Sequence, residues 1–127
     1  MRYIPDEFQQ QFYRQVWSCA RQVPIAKVAT YGHIAQMLER PLALKEQDYK
    51  EFSARWVGDA MAACPNDVPW QRIINAQGKV SKRVDAQKQK VLLEQEGIVF
   101  IDDKLNMSQY QWDENSTAGD LTQASLF

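Results

Sequence analysis

The side chains with the most chemistry to offer sit in one short run, Val68-Pro69-Trp70-Gln71-Arg72-Ile73-Ile74-Asn75. Trp70 supplies a large flat apolar face and one donor, the indole N–H, but no thiolate to attack carbon. Gln71 can donate and accept hydrogen bonds, yet it cannot move a proton at neutral pH. The run is therefore suited to holding a flat ligand rather than breaking a bond in it. Taken alone, a Pro-Trp pair reads as core, and the polar Gln71 and cationic Arg72 are what lift this one above that reading. Two cysteines could be nucleophiles. Cys64 lies six positions before Trp70, after an Ala-rich stretch and just before Pro65, with no base beside it in sequence. Cys19 shares the spacing of apolar neighbours and reads as core. The two are 45 positions apart, which fits neither a disulfide framework nor zinc-ligand spacing, and the single histidine, His33, adds no metal set.

At 127 residues the chain is long enough for one domain with its own core. No apolar leader or membrane-spanning stretch is apparent, so a cytoplasmic, reducing location is expected. The net charge of −1 hides an uneven distribution. From Trp70 to Lys90 there are six bases (Arg72, Lys79, Lys82, Arg83, Lys88, Lys90) against one acid, Asp85. From Asp102 onward there are five acids against one base, Lys104. A basic patch around Trp70 can meet phosphates, while an acidic tail discourages loose binding to polyanions. The alternative reading of such a run is a solvated charged face.

The elements that must position these residues are legible from spacing. Phe8, Phe12, Val16, Cys19, Ala20 and Val23 predict an amphipathic helix from Asp6, a cap candidate, to about residue 21, stopped by Pro24. Lys27-Val28-Ala29 reads as extended, and the Thr30 hydroxyl as the cap of a helix through Ile34, Ala35 and Leu38. Ser53 is a second cap candidate, opening a short helix from Ala54 to Ala62 with Arg55 near its start. Two such helices predict a helix-turn-helix. Gln77-Gly78 punctuates two extended pieces, 73–75 and 79–81, which predict a hairpin. Asp85 reads as the cap of a last helix ended by Gly97, and Ile98 to Ile101 as a strand. After Trp112 little remains to bury, so 1–112 is expected to form the domain and 113–127 a flexible acidic tail.

Several linked motifs resemble the O6-alkylguanine-DNA alkyltransferases, and more closely the alkyltransferase-like proteins, over roughly Phe8 to Trp112. Val68-Pro69-Trp70-Gln71-Arg72-Ile73 is similar to a run that reads Pro-Cys-His-Arg-Val in the reactive enzymes and Pro-Trp-[His/Gln]-Arg-Val/Ile in the alkyltransferase-like proteins. Val23 to Ala35 resembles the family's entry into its helix-turn-helix, with Ala26 in place of a glycine. Ala54-Arg55-Trp56-Val57-Gly58-Asp59-Ala60-Met61 is similar to its recognition helix. Gly78 to Arg83 and Leu93-Glu94-Gln95-Glu96-Gly97 resemble the run that closes the pocket and the end of the next helix. The resemblance implies a mainly α fold with short β pieces, a winged-helix-like helix-turn-helix domain of the alkyltransferase C-terminal type. Two departures stand out. The segment 40–52 is longer than the family's usual connection, where it could extend a helix or touch DNA, and the stretch before Pro69 is shorter.

The resemblance also implies roles. O6 of guanine lies inside the duplex, so a pocket can inspect it only after the nucleotide is rotated out. Arg55 would enter the gap from the minor groove, Ala54 and Gly58 would permit close approach of the helix, and Tyr31 would help turn the neighbouring phosphate. Trp70, Gln71 and Tyr31 would line the alkylguanine pocket. Arg83 would stack on the flipped base and donate to N1, which alkylation makes an acceptor. Lys79 and Lys82 would contact phosphates. The cysteine, histidine and glutamate of the reactive family correspond here to Trp70, Gln71 and Glu96, leaving Glu96 as a structural acceptor and Arg72 as a brace. Neither cofactor nor metal is implied.

The last five residues, Gln123-Ala124-Ser125-Leu126-Phe127, resemble the peptide by which bacterial replication and repair proteins dock on the sliding clamp. Gln123, Leu126 and Phe127 would be its anchors. The expected protein is a monomeric, non-enzymatic sensor of O6-alkylguanine in double-stranded DNA. It would be cytoplasmic and nucleoid-associated, with no membrane partner, and would hand lesions to nucleotide excision repair. Alkyl transfer to Cys64 and sequence-specific transcription regulation are the alternatives.

Overall fold

Phe12, Val16 and Ala20 repeat every fourth residue, and all three are buried along one face of helix α1, Asp6–Ala20. The computed structural model describes residues 6–40, 44–80 and 86–113. Beyond α1 the chain turns, and Val23 is buried before the short strand β1, Ala29–Thr30. Helix α2, Tyr31–Met37, follows directly, and its Thr30 cap accepts the His33 N–H at 2.9 Å.

Helix α3, Glu46–Ala62, differs from the expected short helix. Ser53 is not its cap but a buried residue in its interior, and Arg55 lies mid-helix rather than near the start. Partly buried aromatic residues continue the packed stripe upstream of Ser53. Phe12 meets both Tyr49 and Trp56 edge-on, and Phe52 packs beside Trp56 at 6.2 Å between ring centroids. Tyr49 also donates its hydroxyl to the Ala35 carbonyl at 2.8 Å, which fastens α3 to α2. Burial of these rings outweighs the local preference of a serine for a cap. The long connection thus becomes, from Glu46 onward, an extension of the second helix of the pair. Glu46 and Asp48 lie in its first turn, where the helix dipole favours anions.

The Trp70 run forms a single 3-10 turn, Trp70–Arg72, which leads into strand β2, Ile73–Ile74. Strand β2 pairs in parallel with β1, Ala29 beside Ile73 and Thr30 beside Ile74. The pair divides the interior. Ala29 and Ile73 face a cluster made with α1, α2 and α3, whereas Val28 and Ile74 face a second with Leu93, Ile98, Leu105 and Tyr110. Burial on both faces explains why Val28-Ala29 and Ile73-Ile74 are continuously apolar rather than alternating.

Among the described residues the expected hairpin of 73–75 with 79–81 is absent, Ser81 lying outside them. Lys79 and Val80 carry no strand, and Asn75 instead closes a turn, its Oδ1 accepting the N–H groups of Gln77 and Lys79. Gly78 sits at φ +78°, and a Cβ there would lie 2.8 Å from the Leu105 carbonyl oxygen, so this turn requires glycine. Helix α4, Ala86–Gln95, ends in a Schellman motif. Gly97, at φ +102°, donates to Glu94 O, and Ile98 donates to Leu93 O. Asp85, the expected cap of α4, lies outside the described residues. The strand expected over 98–101 is shorter. It is β3, Phe100–Ile101, in an antiparallel hairpin with β4, Lys104–Leu105, across Asp102 and Asp103, both at positive φ. Helix α5, Met107–Tyr110, then brings Trp112 back to donate to Val28 O at 2.7 Å. Among the described residues, no helix is long and apolar enough to cross a membrane.

Candidate nucleic-acid interface and nucleotide pocket

The turn carrying Trp70 is held from three directions. Glu96, the C-terminal cap residue of α4, accepts from Gln71 Nε2 at 2.8 Å and from Arg72 Nε at 3.1 Å. It also accepts the Ala26 backbone N–H at 3.0 Å. Arg72 reaches on to the Val23 carbonyl at 3.0 Å. One carboxylate therefore ties the turn after α1, the Trp70 turn and the end of α4 together. Burial pushes the Glu96 carboxyl up, but the Ala26 N–H, Arg72 and Gln71 outweigh it and hold it below the ordinary glutamate value. Glu96 is thus a saturated anionic acceptor.

Ala26 takes part in this junction at φ +67°, a left-handed conformation that costs a residue with a Cβ. Glycine, the residue the resemblance places at this position, would hold this conformation without that cost, and here alanine holds it. A residue not singled out in the sequence completes the support. Gln89 is fully buried on α4, and its Nε2 donates to the carbonyls of both Gln71 and Ile73, at 3.1 and 3.0 Å. It precedes buried Leu93 by four positions, and a polar side chain on that apolar face is the signal that could have marked it.

An open groove runs beside Trp70, lined by residues 66 to 72 and by Arg21. Trp70, Gln71 and Arg72 are each part-exposed there, so ring and amide border a space open to solvent. The parallel pairing of β1 with β2 fixes the start of α2, and with it Tyr31, relative to the Trp70 turn. Tyr31 is half-buried against the core. On α3, Ala54 and Arg55 are exposed while Trp56 and Val57 are buried, so the helix presents Arg55 to solvent from a fixed base. A Cβ at Gly58 would meet nothing within 4 Å, which leaves the surface beside Arg55 low and open. Lys79 is exposed.

Lys82, Arg83 and the terminal residues Gln123, Leu126 and Phe127 lie outside the described residues. Cys64 follows α3, half-buried against the first core cluster. Burial pushes the Cys19 thiol up, away from the thiolate a nucleophile needs.

This arrangement, two packed helices with an arginine presented by the second and a braced aromatic turn beside a groove, is that of a helix-turn-helix DNA-binding domain. The family profile of the 6-O-methylguanine DNA methyltransferase, DNA binding domain, matches residues 11–98. Alkyltransferase-like protein 1 of Schizosaccharomyces pombe is 37% identical over 112 residues, covering 80% of this chain and 94% of that protein. A DNA base-flipping protein of Vibrio parahaemolyticus is 40% identical over 106 residues, covering 80% and 96%. The crystal structure of S. pombe Atl1 in complex with damaged DNA containing O6-carboxymethylguanine superposes with a TM-score of 0.68 at 35% identity, over 82% of this chain and 96% of that one. The chain belongs to the alkyltransferase-like family, built on the methyltransferase DNA-binding domain.

Proposed function

We propose that this protein binds double-stranded DNA containing O6-alkylguanine, turns the modified nucleotide into the groove beside Trp70, and holds it without removing the alkyl group. The observation that carries this reading is the Gln71–Glu96–Arg72 junction. The position from which the reactive family attacks carbon holds an indole, and the positions that would activate a nucleophile are tied into a structural hydrogen-bond network. Support comes also from the family and from relatives named for base flipping.

In this reading Trp70 and Gln71 border the flipped base, and Arg83 stacks on it and donates to its acceptors. Arg55 fills the gap it leaves, with Ala54 and Gly58 allowing close approach through the minor groove. Tyr31 turns the adjacent phosphate, and Lys79 and Lys82 contact others. Glu96 and Arg72 brace the turn. Residues 1–112 do this as a monomer in the cytoplasm, on nucleoid DNA. The complex marks the lesion for nucleotide excision repair, while the tail 113–127 offers Gln123, Leu126 and Phe127 to the sliding clamp. Binding to matched duplexes with and without one O6-methylguanine, at fixed salt, tests recognition: tighter binding to the modified duplex is expected, and equal binding refutes it. Unchanged clamp affinity after deletion of 123–127 would remove the clamp from the scheme.

A further inference from the structure

The groove beside Trp70 contains two arginines with opposite situations. Arg72 is committed: its Nε lies on Glu96, another of its nitrogens on the Val23 carbonyl, and its side chain is 15% exposed. Arg21 is paired differently. Its Nε and a terminal nitrogen meet the two oxygens of Asp67 at 3.0 and 3.2 Å, in the two-pronged geometry that a guanidinium offers any carboxylate. Both partners face solvent, with side chains 41% and 67% exposed. Such a pair contributes little to the fold, and water can take over either partner when it opens. Both residues line the same groove as Trp70 and Gln71. Arg21 lies one residue beyond α1, with its backbone N–H still bonded to Trp17 O, so the base of its side chain is fixed.

We infer that Arg21 forms an anion subsite at the mouth of this groove, selecting O6-alkyl groups that end in a carboxylate, with Asp67 as the placeholder that such a group displaces. This rests on the reading of Trp70 as a wall of the nucleotide pocket. An alkyl group pointing outward past the indole enters the part of the groove where Arg21 stands. A carboxylate there replaces that of Asp67 on the same two nitrogens, and Asp67 turns to water. A neutral alkyl group leaves the Arg21–Asp67 pair closed and gains nothing from it.

The test measures binding of three duplexes at one ionic strength, carrying O6-methylguanine, O6-carboxymethylguanine or its uncharged amide, O6-carbamoylmethylguanine. The full-length chain, Arg21→Ala, Arg21→Lys and Asp67→Asn are compared. The wild type is expected to prefer the carboxylate to the amide. Arg21→Ala should lower that ratio on the order of tenfold, and Arg21→Lys should keep part of it as a point charge without the fork. Asp67→Asn, which removes the competing anion, should raise the ratio. An unchanged ratio in Arg21→Ala, with preference for O6-methylguanine over plain DNA intact, overturns the subsite alone. Loss of every alkyl preference in the wild type overturns the underlying reading, and the subsite with it.

Discussion

Gln71 donates its side-chain N–H to Glu96 at 2.8 Å, so the residue that follows Trp70 is anchored to the end of α4. The resemblance to the reactive family pairs these two positions with a proton relay. Here an amide that cannot shuttle protons meets a carboxylate that also holds Arg72 and the Ala26 N–H. The same junction therefore serves geometry and aims the indole.

Glu96→Gln keeps the shape but removes the charge opposite Arg72, whose side chain and that of Glu96 are 15% and 12% exposed. A loss of about 2 kcal/mol in unfolding free energy is expected, because a largely buried guanidinium then lacks its counter-charge. The pH dependence follows from the depressed carboxyl. Its contribution is fully present above its ordinary value of 4.5 and is lost as pH falls through the lower folded value. Denaturation curves should show the wild type weakening in acid below about pH 4.5, with a flatter acid limb in Glu96→Gln. Parallel acid limbs would separate Glu96 from this effect.

Ala26→Gly should stabilise the protein. At φ +67° alanine is strained, and glycine relieves this at some cost in unfolded-chain entropy. A gain of about 0.5–1 kcal/mol is expected in chemical denaturation, with the Glu96 contact retained. A destabilised variant would contradict the strain.

Arg55→Ala should weaken binding to modified and plain duplexes alike, on the order of tenfold, since in the proposed complex this exposed side chain fills the vacated stack and does not touch the base. Arg83→Ala should chiefly reduce the preference for O6-methylguanine. Equal losses from both changes, measured by titration at fixed salt, would refute this division of labour.

Glu51 lies four residues before Arg55 on the same helix, and both are exposed. An acid at that spacing opposes the approach of DNA to the helix surface. Glu51→Gln is expected to raise affinity for unmodified DNA about threefold and so to erode lesion preference. Unchanged affinity for plain DNA would place Glu51 away from the bound duplex.

Local signals were the legible ones. The α1 stripe, the Thr30 cap and the Gly97 stop each depend on neighbours within a turn, and each is present. What the sequence hid is non-local. Parallel pairing of Ala29 with Ile73 has no turn to announce it, so the pieces after Trp70 read as a hairpin. Ser53 carried the local mark of a cap, but Tyr49 and Phe52 packing near Trp56 drew the helix upstream. At the site, the motif marked Trp70, Gln71, Arg72 and Glu96. Gln89 and Arg21 escaped notice because their meaning depends on partners 18 and 46 positions away.

Recognition without reaction is tested most directly by incubating the protein with excess duplex carrying one O6-methylguanine, then recovering both. Intact mass of the protein and nucleoside composition of the DNA are read together. An unchanged protein mass with the methylated base still present, alongside tight lesion-dependent binding, is the expected result. A protein heavier by one methyl group, with guanine restored, would make Cys64 or Cys19 a nucleophile and contradict the role given to Trp70.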